Sequence, residues 1–452
     1  MPDGLPHPQR AWAFLAVAIA LTMAVLDGAI VNVALPSIAR DLHVEAPEAI
    51  WVVNAYQLAV TMSLLPLASL GDIFGYRRIY CWGLALFTLA SLLCALSPSL
   101  SMLTAARALQ GLGGAGIMSV NIALVRFIYP SAMIGRGVGN TALVVAVSAA
   151  AGPTVGAAIL AVAPWQWLFL VNVPLGVLAL AVASRTLPLT PRSGGRFDVV
   201  SAVLSAATFG LLIYGVDGIG RGGGPAPAWL PLVAAAAFGA VLARRQLAMP
   251  QPLLPVDLMR IPIFALSMAT SICAFGSQML LYVSLPFYFQ NQLGLSAVAT
   301  GFLMTPWPVA TALMSPIAGR LSDHYPAGLL GGLGLAVMTV GLVLLVLLPA
   351  HPALADIAWR LAVCGLGFGL FQSPNNKTII TSAPPQRSGG ASGMQSTARL
   401  LGQSMGAALA AVIFALAGSR DQAYAAILVG VALSAAGAVV SALRGRPVSA
   451  IN

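Results

Sequence analysis

Fourteen apolar stretches of membrane-spanning length run through this chain of 452 residues. They cover residues 12–35, 50–70, 79–97, 101–126, 138–161, 165–184, 198–216, 228–243, 263–289, 298–319, 328–348, 355–377, 392–416 and 422–443. About twenty apolar residues let a helix cross the ~30 Å hydrocarbon core of a bilayer. That core offers nothing to hydrogen-bond a free backbone N–H or C=O, so each stretch is predicted to be helical. Only 8% of the residues are charged, too few to give a soluble globule its polar surface. The predicted class is all-α and integral to the membrane. The first stretch exceeds a signal-peptide h-region and no small-residue cleavage site follows it, so it is read as a span.

The net charge of +10 could point to nucleic acid, but its placement does not. If Arg10 is cytoplasmic and the spans alternate, Arg40, Arg221 and Arg420 fall outside, and Arg107, Arg360 and Arg399 lie within spans. Every other Lys and Arg, including Arg192, Arg196 and Arg446, is then cytoplasmic. This bias sets both termini in the cytoplasm and draws the basic loops to anionic lipid headgroups. Membrane lipids are thus expected partners, and nucleic acid is not. Cys81, Cys94, Cys273 and Cys364 sit in apolar spans, and His7, His43, His324 and His351 in termini or loops. No disulfide, metal or cofactor is expected from that distribution.

One loop occurs twice. Ala68, Asp72 and Gly75 recur 251 positions on as Gly319, Asp323 and Pro326, and Arg107, Gly114 and Gly116 recur 253 positions on as Arg360, Gly367 and Gly369. A membrane chain with two matching halves can hold a central site and rock one half against the other. Residues 1–185 are read as a first six-helix bundle and 262–452 as a second, with two additional spans in the linker 186–261. That linker carries Gly222, Gly223, Gly224 and Pro225 in one loop and Pro250, Pro252, Pro255 and Pro262 in another stretch. The interiors of the two extra spans hold no Asp, Glu, Lys, Arg or His, so they are expected on the outside of the bundle.

Four motifs then carry a resemblance over nearly the whole chain. Leu26-Asp27-Gly28-Ala29-Ile30-Val31-Asn32-Val33-Ala34-Leu35-Pro36 resembles the first-span signature of the fourteen-span drug:proton antiporters of the major facilitator superfamily. Gly71-Asp72-Ile73-Phe74-Gly75-Tyr76-Arg77-Arg78 resembles that superfamily's loop motif, Arg107-Ala108-Leu109-Gln110-Gly111 its span-four motif, and Gly152-Pro153-Thr154-Val155-Gly156-Ala157 the span-five antiporter motif. The resemblance implies the major facilitator fold, two six-helix bundles related by pseudo-twofold symmetry plus two extra helices. It also implies proton-coupled efflux of hydrophobic or cationic small molecules across the cell inner membrane by alternating access, from a protein expected to be a monomer. A carrier of one endogenous metabolite or lipid with the same fold is the alternative. An enzyme is not expected, since no nucleophile–base pair, metal cluster or Walker phosphate loop is present.

Asp27 is the acid deepest within a span. At a bilayer centre such a charge costs about 2.5–3.5 kcal/mol, which makes it a functional candidate. Burial favours its neutral form and a nearby cation its charged form, so it can load and release a proton; a structural hydrogen bond is the competing use. This reading requires the carboxylate to reach a cavity between the halves. Arg107, which stays charged, must meet an acid, a carbonyl or water, and in related antiporters it is thought to assist proton movement; a helix clamp is its alternative. Arg399 is read as a clamp to a carbonyl. The loop of Asp72, Gly75, Arg77 and Arg78 is read as a latch that must break when the cytoplasmic side opens, and its copy with Arg320 and Asp323 as a weaker one. Gly152, Pro153 and Gly156 are read as a packing face and bend that permit gating. Asn32, Tyr56, Gln57, Gln110, Gln278, Tyr282, Trp307, Gln372 and Asn376, with Tyr288 and Gln290, form the candidate lining for an amphipathic guest.

Overall fold

The computed structural model describes residues 4–190, 197–221, 227, 229–249, 255–349, 352–384, 387–417 and 421–444. Among them every predicted span is a helix. In chain order these are α1 Gln9–Asp41, α2 Ala46–Phe74, α3 Tyr76–Ala95, α4 Leu100–Ile128, α5 Ser131–Val162, α6 Trp167–Thr186 and α7 Val199–Ile219. They continue with α8 Trp229–Leu247, α9 Pro262–Gln292, α10 Ala297–Leu321, α11 Ala327–Val346, α12 Leu354–Ser382, α13 Gly390–Leu416 and α14 Gln422–Leu443. The glycine and proline tracts at 222–225 and 250–252, with Arg192, Arg196, Arg420 and Arg446, lie outside the described residues.

The duplication seen in the loop motif extends to the packing. In the first half α3 and α2 lie on α4, α1 lies on α5 and α6, and α3 lies on α6. The second half repeats each pairing eight helices later: α11 and α10 on α12, α9 on α13 and α14, α11 on α14. Close approach at glycine repeats as well. A Cβ on Gly83 of α3 would stand 2.9 Å from the Gly113 carbonyl oxygen of α4, and one on Gly334 of α11 would stand 2.7 Å from that of Gly367 on α12. Without a solvent-driven apolar term between lipid-bathed helices, small residues that let backbones touch supply the attraction.

These contacts also fix the register of the repeat. Gly111 presses on the Tyr56 carbonyl, and Gly365 presses likewise on that of Trp307. Helix α12 therefore follows α4 with an offset of 254, while α10 follows α2 with 251. The position equivalent to Arg107 is Leu361, fully buried, not Arg360 as the sequence offset suggested. One residue turns a helix by about 100°, which sends Arg360 to an exposed-side ion pair with Asp356, 2.9 Å away.

The halves meet where α1 packs on α9, α2 on α13 and α5 on α10. The polar contacts across this boundary lie at mid-depth or toward the end opposite the chain termini. Thr61 and Ser404 hydroxyls are 3.2 Å apart, and those of Thr154 and Thr305 are 2.7 Å apart. Near the far end, Pro286 is followed by a π-helical turn, Tyr288–Gln292. That turn lets Gln290 donate to the Val33 carbonyl at 2.9 Å and accept from Arg40 at 3.2 Å.

The extra pair has two features that the sequence reading lacked. Helix α7 packs on α8 but also on both α2 and α13, so it covers a seam between the halves. It also continues to Arg221 and buries Asp217, which is 3% exposed; the span bound at residue 216 stops one position short of this acid.

Candidate functional site

Asp27 sits near the middle of α1, and its side chain has no solvent exposure. Helix α4 brings Arg107 and Gln110, one turn apart on the same face, to that carboxylate. Arg107 forms an ion pair with Oδ2. Oδ1 accepts from Gln110 Nε2 at 2.8 Å and from Asn172 Nδ2 of α6 at 3.2 Å. The guanidinium also donates to the Val52 carbonyl at 3.0 Å and to Gln110 Oε1 at 2.6 Å. Its carbon lies 4.3 Å from the Tyr56 ring centroid, within cation–π range. Gln110 Nε2 donates in addition to Ser91 Oγ of α3 at 2.9 Å. Five helices thus converge on one neutral pair, and α5 supports it from behind. A Cβ at Gly152 would stand 2.5 Å from that of Ala29, and one at Gly156 would stand 3.3 Å from Ile30.

The carboxylate is therefore enclosed within the first half in this state and does not open directly onto the space between the halves. Its partners account for this: a buried charge persists when it is paired and its remaining lone pairs are hydrogen-bonded. The second half has no counterpart, because Leu361 and Cys364 occupy the positions of Arg107 and Gln110.

Other candidate residues form separate groups. Tyr56 donates to the Ala24 carbonyl at 3.3 Å, and its neighbour Gln57 is buried. Asn32 donates to the Gly28 carbonyl at 3.1 Å, while its Oδ1 is buried without a partner. In the second half Gln278 hydrogen-bonds Tyr282, whose ring meets that of Trp307 edge-on with centroids 5.4 Å apart. Trp307 is wholly buried and its Nε1 lacks a partner. Gln372 and Asn376 are part-buried. The adjacent Asn375 instead takes the ordered contacts, donating to Ser271 at 2.7 Å and accepting from Arg444 at 2.6 Å. Tyr288 rests on Phe289, and Gln290 serves the far-end contact already described. Arg399, expected to clamp a carbonyl, makes no hydrogen bond among the described residues, and its Nε is buried unpartnered.

The two loop copies each find partners within their own half. Gly75 adopts φ +96°, a conformation glycine tolerates, and so separates α2 from α3. Asp72 accepts from the Tyr76 hydroxyl, and Arg77 donates to the Ser184 carbonyl. Arg78 lies beside Arg77 in a groove with Trp82 and Leu189. In the second copy Asp323 accepts from Lys377 at 2.6 Å. The Lys377 hydrogen bond, then its charge, hold the exposed Asp323 carboxyl below the ordinary range. Arg320 is exposed. Pro153 meets α10: its carbonyl would stand 2.5 Å from a Cβ on Gly301.

Asn172, Ser91 and Cys94, whose Sγ is 3.6 Å from Gln110 Oε1, complete the site without belonging to any motif. Asn172 has one usable sequence signal, as an isolated amide within the apolar run Trp167–Val182. The serine and cysteine have none, being unremarkable in any span.

A family model for the Major Facilitator Superfamily matches residues 17–407. The chain is 57% identical over 444 residues to the uncharacterized transporter YebQ of Escherichia coli, covering 98% of this chain and 97% of that one. It is 31% identical to the riboflavin transporter RibZ of Clostridioides difficile (92% and 91% covered) and 32% identical to the multidrug resistance protein Stp of Mycobacterium tuberculosis (89% and 75%). Its fold matches a bacterial homologue of the human lysosomal transporter Spinster in an inward-facing, occupied conformation, with TM-score 0.71, 15% identity and 98% of each chain covered.

Proposed function

The chain belongs to the major facilitator superfamily, and on that premise we propose that it is a proton-coupled exporter of hydrophobic small molecules. As a member it is a multi-pass membrane transporter and not an enzyme. The observation that carries the coupled reading is the Asp27–Arg107 pair, buried where five helices converge. Protonation of Asp27 breaks the pair and leaves Arg107 to its remaining acceptors, Val52 and Gln110, beside Tyr56. The carboxylate acts on the middle of the protein through Arg107 and Tyr56, not by contact with the guest. The requirement that the acid reach a cavity between the halves is not met in this state, so proton exchange on this reading needs another state of the cycle to open the carboxylate.

The exporter works by alternating access in a bacterial inner membrane, with both termini cytoplasmic and the protein a monomer. The far-end contacts at Gln290 and Thr154 then close the outer side, while Asp72 and Asp323, paired within their own halves, mark an open cytoplasmic side. A Thr154→Cys/Thr305→Cys pair should cross-link on oxidation and reduce transport to background, with recovery on reduction. Transport by the oxidised, fully linked protein would count against alternating access at this seam.

Expression in a pump-deficient host should lower accumulation of at least one dye in a panel of anionic and cationic dyes, and a protonophore should abolish the difference. A carrier of one endogenous compound is the second reading, favoured by the 31% identity to a riboflavin transporter over 92% of the chain. Normal retention of every dye in a broad panel, with uptake or release of a single metabolite, would favour that reading.

A further inference from the structure

The charge balance at the middle of the protein is positive, and the source is Arg399. Among the described residues the two other arginines within spans are paired: Arg107 with Asp27 and Arg360 with Asp356. Arg399 has no carboxylate and no hydrogen-bond acceptor among them. The contacts of α13 determine which way it faces. Gly402 and Gly406 press on α9, where their Cβ atoms would stand 2.7 Å from the Ile272 carbonyl oxygen and 3.0 Å from the Leu280 nitrogen. Leu400 joins the apolar cluster of Tyr56, Val60 and Leu64 on α2, and Ser404 meets Thr61. Ala398 turns away, into the cluster with Leu242 of α8 and Leu258.

At about 100° per residue, Arg399 falls on the α2-facing edge of the stripe that Gly402 and Gly406 present to α9, about a quarter turn from Ala398. Helix α9 belongs to the second half and α2 to the first, and α13 packs on both, so that edge faces the boundary between the halves. The next residue, Leu400, packs in the cluster that holds the Tyr56 ring of the first half. Gln403 lies one turn further along the same side. Asp217, the other buried acid in the spans, is on α7, outside both halves.

Arg399 is part-exposed, with its Nε buried and without an acceptor, so its guanidinium has donors free to meet an anion that reaches it. We propose that Arg399 is a substrate-binding residue and that the guest is an amphipathic organic anion, its carboxylate, sulfonate or phosphate held by Arg399 with Tyr56 and Gln403 beside it. This rests on the transporter reading but reverses the cationic guest that the motifs suggested. Asp27, the acid a cation would seek, is already matched by Arg107. A planar guanidinium pairs with such oxyanions through two parallel N–H bonds.

The test measures equilibrium binding to the purified full chain without any proton gradient, so that it stands apart from the efflux experiment. Fluorescein and rhodamine 123 share a xanthene scaffold, one anionic and the other cationic. Fluorescence polarisation should give tighter binding of fluorescein, by about tenfold or more. Arg399→Gln should weaken fluorescein by about tenfold or more, the range expected for loss of a charge-assisted bond, and leave rhodamine 123 unchanged or tighter. Arg399→Lys should retain part of the preference.

Competition on the unaltered protein decides the matter if Arg399→Gln does not fold. 1-Naphthoate should displace fluorescein, and 1-naphthylmethylammonium should not. Preference for rhodamine 123, an unchanged fluorescein affinity in folded Arg399→Gln, or displacement by chloride as effective as by naphthoate would each overturn the proposal. Failure of the efflux reading would look different: the anion preference would remain, but accumulation in cells would be insensitive to the protonophore.

Discussion

Asp27→Asn should abolish protonophore-sensitive export while the protein still reaches the membrane. The substitution preserves the shape of the side chain, and Gln110 and Asn172 can still donate to the remaining carbonyl oxygen. What it removes is the countercharge of Arg107, which is 1% exposed. Stranding one member of a buried pair costs about 3–5 kcal/mol, so the single variant should also unfold at a lower temperature. The double variant Asp27→Asn/Arg107→Gln should regain most of that loss, because no charge is left unpaired, and should remain uncoupled. Thermal unfolding in detergent and dye export from loaded vesicles separate the two effects. Full proton-driven export by Asp27→Asn would remove the residue from the mechanism.

The largest structural effect should come from Gly113→Val. A Cβ there would stand 2.7 Å from the Phe87 Cα and 2.8 Å from the Gly83 carbonyl oxygen, both backbone atoms of α3. Backbone cannot yield as a flexible side chain does. Overpacking of this kind costs about 1–3 kcal/mol even where the core can shift, and two extra methyls at a backbone contact exceed that range. The yield of monodisperse protein in size-exclusion chromatography should collapse. Gly367→Val, at the equivalent contact in the second half, should do the same. Gly139→Ala, where a Cβ meets nothing within 4 Å, should be silent. Equal yields from all three would mean that the helix pairs are not held by close approach.

The architecture is legible in the sequence because a bilayer enforces one simple rule at each span. Apolar length marks all fourteen helices, and only ends drift: the seventh runs past residue 216 and so takes in Asp217. The repeat is legible in its loop but misaligned by one residue in α12, because Arg107 and Arg360 look equivalent in sequence. Packing at Gly111 and Gly365 shows otherwise. Asp27, Arg107 and Gln110 stand out because charge and amide are rare in apolar spans, and they do lie together. Their enclosure is not legible, since it depends on Asn172 and Ser91, polar groups that sequence ranks no higher than their neighbours. Arg399 reads as a clamp because a sequence alone cannot reveal that no acceptor waits for it.

Helix α7 touches α2 and α13 at once. A rod resting on two plates cannot stay still against both when one plate tilts. On the alternating-access reading proposed above, each turnover lifts α7 from one neighbour and lays it down again, and the acyl chains flanking that groove make room. The bilayer is then a mechanical load on the cycle, felt along one side of the protein and not around its whole girth.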